Sequence, residues 1–161
     1  MFKRVENNIN LAQVENEISN YWDEIDAFQT SLNNRKNDKI FRFYDGPPFP
    51  TGSPHYGNLL AGVIKDIVPR YWTMRGYYVE RRFGWDVHGL PIEMEVQKNL
   101  NLEDPQQIDE YGIGKFNEAC RTQVQTNTEN WEKITRKIGR WVDFENDYKT
   151  MDIDFMESVW W

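Results

Sequence analysis

The spacing of apolar residues at the start of the chain predicts a helix followed by a strand. Apolar side chains recur every three or four positions over 11–25, which is typical of an amphipathic helix. Asn10 and Gln13 stand where a capping pair would begin that helix. The polar stretch 31–39 then ends it, and the aromatic stretch 40–45 indicates a strand.

The next apolar pattern predicts a helix, a strand and another helix in that order. Helical spacing covers 57–75, where Pro69 is expected to kink the helix or break its last turn. A short strand follows over 77–84, and a helix with Pro91 in its first turn comes after the loop 84–89. Because helices and strands alternate, the economical arrangement is an α/β fold with a parallel sheet and crossover helices.

The second half of the chain shows mainly helical patterns. Asp104 and Pro105 suit the cap and first position of a short helix that Gly112 should end. A long helix is predicted over 114–141, and 143–152 should turn the chain into a final helical start. Since the chain stops there on two uncapped tryptophans, we expect it to be the front portion of a longer protein.

Composition narrows the class of protein. Of the 161 residues, 39% are hydrophobic and 15% aromatic, which excludes a disordered tail. No apolar stretch is long enough to cross a bilayer, so we expect a cytoplasmic protein without a membrane partner. One cysteine, Cys120, and two histidines argue against a metal site, and Cys120 suits a small buried thiol. A net charge of −7 argues against a nucleic-acid clamp, so such contacts should come from elsewhere.

The stretch DGPPFPTGSPHYGN at 45–58 is a shaped loop that leads into a helix. Its prolines prevent regular strand pairing, and its glycines allow close backbone approach. Free N–H groups and the helix dipole favour an anion such as a phosphate there, which His55 and Asn58 could contact from the first turn. The same residues also suit a plain turn, with His55 as a turn histidine, Asn58 as an ordinary helix start and Gly57 as a tight-turn residue.

The stretch GWDVHGLPIE at 84–93 repeats the order of strand, glycine-flanked loop and helix. The two loops should face one crevice, because ligands of open α/β sheets lie at the carboxyl ends of the strands. Asp86 could hold the ammonium group of a ligand or form a structural Asx turn beside Gly89. For His88, a buried or supporting hydrogen-bonded role is favoured over direct catalysis.

Three blocks in order, DGPPFPTGSPHYGN, LLAGVIKDIVPRYWTMRG and GWDVHGLPIE, resemble the N-terminal part of class I aminoacyl-tRNA synthetases, most closely their isoleucyl group. The similarity runs from about residue 9 to the end of the chain. It implies that 39–161 form the first part of a Rossmann-like nucleotide-binding catalytic domain. Residues 1–38 would then be an N-terminal helical extension.

The resemblance also implies which residues contact ATP. His55 and Asn58 match the ends of a four-residue signature whose side chains stabilise the ATP phosphates. The family usually has histidine where this chain has Asn58, which keeps a donor but carries no positive charge. Pro54 and Gly57 match positions of the same signature loop that lie against the nucleotide.

A second set of residues is implied for the amino acid. Gly46 and Pro47 match the loop that lines the amino-acid pocket, and Asp86 matches the carboxylate that holds the substrate's α-amino group. Trp85 and His88 would support this group without contacting the reacting atoms.

On this resemblance the complete protein would activate isoleucine with ATP, with Mg²⁺ as the counterion of ATP, and transfer it to tRNA. The family's lysine-rich second ATP signature does not occur in these 161 residues, so the chain alone is expected to be inactive. The residues leave two alternative functions open. One is a His-x-Gly-His type nucleotidyltransferase, although those small enzymes lack the GWDVHGLPIE block. The other is a non-catalytic synthetase-like binding or regulatory module.

Overall fold

The computed structural model describes residues 8–161, which form seven helices and four short strands. The helices are α1 (Leu11–Glu24), α2 (Ala27–Asn33), α3 (Tyr56–Met74), α4 (Leu90–Asn99), α5 (Pro105–Tyr111), α6 (Ile113–Lys137) and α7 (Ile153–Trp160). The strands are β1 (Lys39–Ile40), β2 (Tyr77–Tyr78), β3 (Arg82–Trp85) and β4 (Asp143–Lys149). Within the described residues, no helix is both long and apolar enough to cross a membrane.

The strands pair in parallel, which confirms the predicted α/β class. Across residues 8–161 they form two ladders, β1 with β2 and β3 with β4, rather than one continuous sheet. The first ladder is short because the chain leaves it after Phe41 and enters the proline-rich loop. The strand predicted over 40–45 is therefore mostly irregular, and the one predicted over 77–84 is divided into β2 and β3.

Two elements were not predicted from the sequence. Asp26, at a φ of 45°, separates α1 from α2, and α2 extends to Asn33, into the polar stretch that was expected to end the first helix. The segment 143–152 was expected to be a turn, but most of it is β4. That strand buries Phe144 and is held by pairing with β3, since tertiary pairing can override a weak intrinsic strand preference.

The helix ends match the sequence where caps define them. The Asn10 side chain accepts the Gln13 N–H at 3.3 Å, and the Asp104 side chain accepts the Gln106 N–H at 2.9 Å. Gly112, at a φ of 100°, ends α5 as predicted. These caps satisfy N–H groups that have no partner inside the helix.

Two features of the helices differ from the sequence prediction. The long helix α6 ends at Lys137 rather than near 141, because Gly139 takes a left-handed φ of 76° and donates its N–H to Arg136 O. Of the two outcomes expected at Pro69, the broken last turn does not occur, since the helix runs through Pro69 to Met74, and the kink stays a prediction. Proline removes only its own N–H bond, and the turn that follows Pro69 keeps its hydrogen bonds.

The core lies between the β3–β4 ladder and helices α4 and α6. Its buried side chains are Phe83, Trp85, Val87, Ile92, Val124, Trp131, Val142 and Phe144. Cys120 is half-buried and packs against this cluster, and burial raises the pKa of its thiol. The cysteine therefore acts as a packing residue in the core.

The N-terminal helices contact the rest of the chain through Arg70. Its guanidinium lies 4.0 Å from the centroid of the Trp141 ring and 5.4 Å from that of the Trp22 ring. Arg70 Nε also pairs with Asp66 at 2.5 Å. A planar cation beside two aromatic rings gains cation–π attraction, which attaches α1 to the body. The division of the chain into domains at residue 38 stays a prediction.

Gly84→Ala is expected to lower the free energy of unfolding by about 1–3 kcal/mol, because a side chain there would overpack the β3–β4 ladder. A Cβ at this position would clash with the ring of Tyr148, which pairs with Gly84 across the ladder. Urea denaturation measures the change. Gly114→Ala is the matched control, since nothing lies within 4 Å of a Cβ there. Equal stability of the two variants would contradict this packing.

Candidate active site

The loop 45–55 begins at an ion-paired aspartate. Asp45 pairs with Lys65 at 2.5 Å and also with Arg140. Lys65 Nζ donates a second bond, 3.1 Å long, to Gly46 O. These contacts fix the first residues of the loop to α3 and to the segment that follows α6.

One face of α6 holds the middle of the loop through its main-chain carbonyls. Asn127 Nδ2 donates to Pro50 O at 2.6 Å, and Trp131 Nε1 donates to Gly52 O at 2.8 Å. The two donors are four residues apart and therefore lie on the same face of the helix. The prolines leave the loop without a ladder partner, so bonds from other elements define its path.

The residues that open α3 cap the helix on each other. His55 is the N-cap, and its Nδ1 accepts the Gly57 N–H at 3.1 Å. Asn58 Oδ1 accepts the His55 N–H at 3.0 Å, which completes a capping box. A Cβ on Gly57 would lie 3.0 Å from the His55 ring, so glycine at this position leaves room for the cap.

This cap changes which groups are free to bind a ligand. The Gly57 N–H is already bonded to His55, so the prediction of free first-turn N–H groups is wrong at this position. With Nδ1 accepting, a neutral His55 carries its proton on Nε2, and Asn58 keeps its Nδ2 donor. His55 is exposed and Asn58 half-buried. The start of α3 therefore presents two side-chain donors whose positions the cap has already fixed.

The second loop meets the first through a main-chain bond. The Asp86 N–H donates to Pro48 O at 2.9 Å, and the next residue, Val87, donates its N–H to the Thr150 hydroxyl at 2.9 Å. The Asp86 carboxylate is half-buried and has no hydrogen-bond partner within residues 8–161. No Asx turn forms, so Asp86 is fixed by its backbone while its charge stays available.

Trp85 and Tyr148 lie beside Asp86 in the β3–β4 ladder. Trp85 is only 1% exposed, and its Nε1 donates to Asp147 Oδ2 at 2.6 Å. The pKa of Tyr148 is raised, first by burial and then by the negative charges of Asp45 and Asp86. Tyr148 pairs with Gly84 across the ladder, two residues before Asp86. It was missed because β4 was predicted as a turn.

The predicted site residues converge on Pro48. Besides accepting from the Asp86 N–H, Pro48 lines a cavity of about 60 Å³ together with Pro54 and Asn58. Gly46 and Pro47 precede it directly in the same loop. Pro48 therefore lies beside two of the residues predicted for the phosphates and is bonded to the backbone of Asp86.

One of the two roles predicted for His88 is excluded, and its supporting role stays a prediction. His88 is exposed, so the alternative of a buried hydrogen-bonded histidine is wrong. Among residues 8–161, no three His, Cys, Asp or Glu side chains are grouped as metal ligands would be. The arrangement thus offers side-chain donors at one loop and a free carboxylate at the other.

Sequence reasoning missed the residues of α6 that hold the loop. Helical spacing over 114–141 indicates only that the Trp131 ring faces the core, and it does not show that its Nε1–H reaches the loop. Asn127 is only 8% exposed, a rare position for an amide. A buried asparagine on the apolar face of a predicted helix is the signal that could have found it.

Comparisons with known proteins identify the family of the chain. The family model described as tRNA synthetases class I (I, L, M and V) matches residues 17–161. The chain is 56% identical to an isoleucine–tRNA ligase of Chlamydia abortus, over 94% of this chain and 14% of that protein. It is 51% identical to the Bdellovibrio bacteriovorus isoleucine–tRNA ligase, over 99% of this chain and 15% of that protein.

A plant relative and a solved structure extend the comparison. The cytoplasmic isoleucine–tRNA ligase of Arabidopsis thaliana is 55% identical over 91% of this chain and 12% of that protein. LeuRS of Agrobacterium radiobacter K84, in a ternary complex with tRNA and LeuAMS, shares the fold. Its TM-score is 0.65 at 19% identity, over 88% of this chain and 16% of that one.

The chain spans between 12% and 15% of the length of these curated relatives. Within that span the family pattern covers both loops and the helix that holds the first of them. On the match over residues 17–161, this chain belongs to the class I tRNA synthetases of the isoleucine, leucine, methionine and valine group.

Proposed function

We propose that a polypeptide carrying this chain and reaching the length of its relatives, called the full-length protein below, is an isoleucine–tRNA ligase. The observation that carries the proposal is the 51–56% identity to relatives of that name over 91–99% of the chain. The reaction joins isoleucine to ATP as an adenylate, releases pyrophosphate, and then transfers the acyl group to tRNA.

The start of α3 is proposed to act on the ATP phosphates. His55 Nε2–H and Asn58 Nδ2–H supply donors, and the positive end of the helix dipole adds to them. Their mutual cap supports this role, because donors already in position need no reorganisation as charge develops. Pro54 and Gly57 would lie against the nucleotide, and Mg²⁺ would enter as the counterion of ATP.

The second loop is proposed to hold isoleucine by its ammonium group. A half-buried carboxylate without a protein partner, as at Asp86, suits an ammonium that must lose part of its hydration. Gly46 and Pro47 would line the pocket. Trp85 would support Asp86 from the core, and the exposed His88 would lie at the rim.

The contacts to tRNA are proposed to lie mostly outside these residues. A net charge of −7 disfavours a tRNA-binding surface on this part alone. We propose a cytoplasmic location for the full-length protein, in keeping with the name of the Arabidopsis relative.

Asn58→Asp should lower kcat/KM for ATP by at least about a hundredfold, equivalent to about 2.7 kcal/mol. The substitution keeps the oxygen that accepts the His55 N–H, but replaces the ligand-facing donor by a negative charge. Isoleucine-dependent exchange of labelled pyrophosphate into ATP by the full-length protein measures the effect. Asn58→His is the control and should stay within about tenfold of wild type, because imidazole both accepts and donates. An active Asn58→Asp enzyme would remove Asn58 from the phosphate site.

Asp86→Asn should raise the KM for isoleucine at least about thirtyfold, or about 2 kcal/mol, and change the KM for ATP little. The amide keeps the shape and the backbone bond to Pro48 but leaves the substrate ammonium without a counter-charge. The same exchange assay, with each substrate varied in turn, separates the two constants. Asp109→Asn, at an exposed carboxylate on α5, is the control. Equal effects on both substrates would contradict the role of Asp86.

A further inference from the structure

A buried amide on α6 connects the two loops of the candidate site. Asn127 Nδ2 donates to Pro50 O at 2.6 Å and to Glu95 Oε2 at 3.2 Å. Glu95 belongs to α4, the helix that begins directly after the Asp86 loop. Gln123 Nε2 adds a second link between Glu95 and Asn127, since it donates to Glu95 Oε1 at 3.2 Å and to Asn127 Oδ1 at 3.3 Å.

A polar residue at this buried position needs a physical reason. Asn127 is 8% exposed, and Pro50 is among the most deeply buried side chains of the chain. A leucine of similar size would fill the same space without the cost of burying an amide. The amide satisfies a buried carbonyl that the proline-rich loop cannot pair by itself.

We infer that Asn127 is a positioning residue, which sets the place of His55 by holding Pro50 and tying it through Glu95 to the helix behind Asp86. The inference rests on the proposed function. Pro50 lies between the residues assigned to isoleucine and those assigned to the phosphates. A shift at this point moves the phosphate donors relative to the amino-acid pocket, and small displacements of aligned groups are costly in the transition state.

Two neighbouring donors on α6 provide variants to compare with Asn127. One donates to a main-chain carbonyl of the loop and the other to a side chain. Trp131 holds the next carbonyl, Gly52 O, and Trp131→Phe would remove this bond while keeping a large aromatic ring in the core. Asn130 is exposed and donates to the Ser53 hydroxyl at 3.1 Å, so it forms no hydrogen bond with a main-chain carbonyl of the loop. Asn130→Ala therefore tests the same helix face without the main-chain contact.

The experiment measures isoleucine-dependent pyrophosphate exchange in the full-length protein together with active-site titration, which counts sites able to form adenylate. Asn127→Leu should lower kcat per active site at least about tenfold, and Trp131→Phe severalfold, with both KM values within about threefold of wild type. Asn130→Ala should behave as wild type. If Asn127→Leu fails to fold, Asn127→Ala takes its place in every comparison, because it also removes the donor to Pro50 O.

A second comparison asks whether Asn127 acts through His55. In a His55→Ala background, Asn127→Leu should cost less than about threefold, because the group that it positions is already gone. Equal losses in both backgrounds would overturn the inference. So would a loss confined to the fraction of active sites, since that is the result of a purely structural role.

The two proposals fail in different ways. A full-length wild-type protein without isoleucine-dependent exchange overturns the proposed function and the role of Asn127 with it. An active wild type whose Asn127→Leu and Trp131→Phe variants are equally active overturns the positioning role alone.

Discussion

The structure depends on how the carbonyl groups of a proline-rich loop find hydrogen-bond donors. Residues 45–55 cannot form a regular ladder, because Pro47, Pro48 and Pro50 have no N–H to donate. Buried carbonyls without partners would cost free energy, so donors must come from elsewhere. They come from α3, α6 and the Asp86 backbone, which together surround the loop.

This constraint links the core to the candidate chemistry. The same Trp131 whose ring packs in the core donates its Nε1–H to Gly52 O. At the end of the loop, His55 and Asn58 cap α3 on each other and keep one donor each. Rigid positioning is what electrostatic stabilisation of a transition state requires, since the donors must not reorganise during the reaction.

The sequence predicted those parts of the fold and site that depend on local patterns. The caps at Asn10 and Asp104 and the parallel α/β class follow from spacing and residue type, and all are confirmed. The roles of His55, Asn58 and Asp86 stay proposals, although the structure brings their two loops together.

The parts that were missed depend on contacts distant in sequence. β4 looks like a turn because it is polar, and it forms through pairing with β3, some 60 residues earlier. Tyr148 was not predicted as a site residue, because it lies in that strand. Asn127 could not be assigned to a bond with Pro50, 77 positions away, because a helical pattern shows which face is buried but not what it meets.

Hydrogen exchange of the Trp131 indole N–H tests the central claim, that α6 holds the loop in place, most directly. Selective labelling of tryptophan allows this proton to be followed in the full-length protein and compared with the indole N–H of a short tryptophan peptide. The bond to Gly52 O should slow exchange at Trp131 by at least about a hundredfold relative to the peptide. Exchange at Trp131 as fast as in the peptide would show that the loop is not held by α6 and would contradict the account.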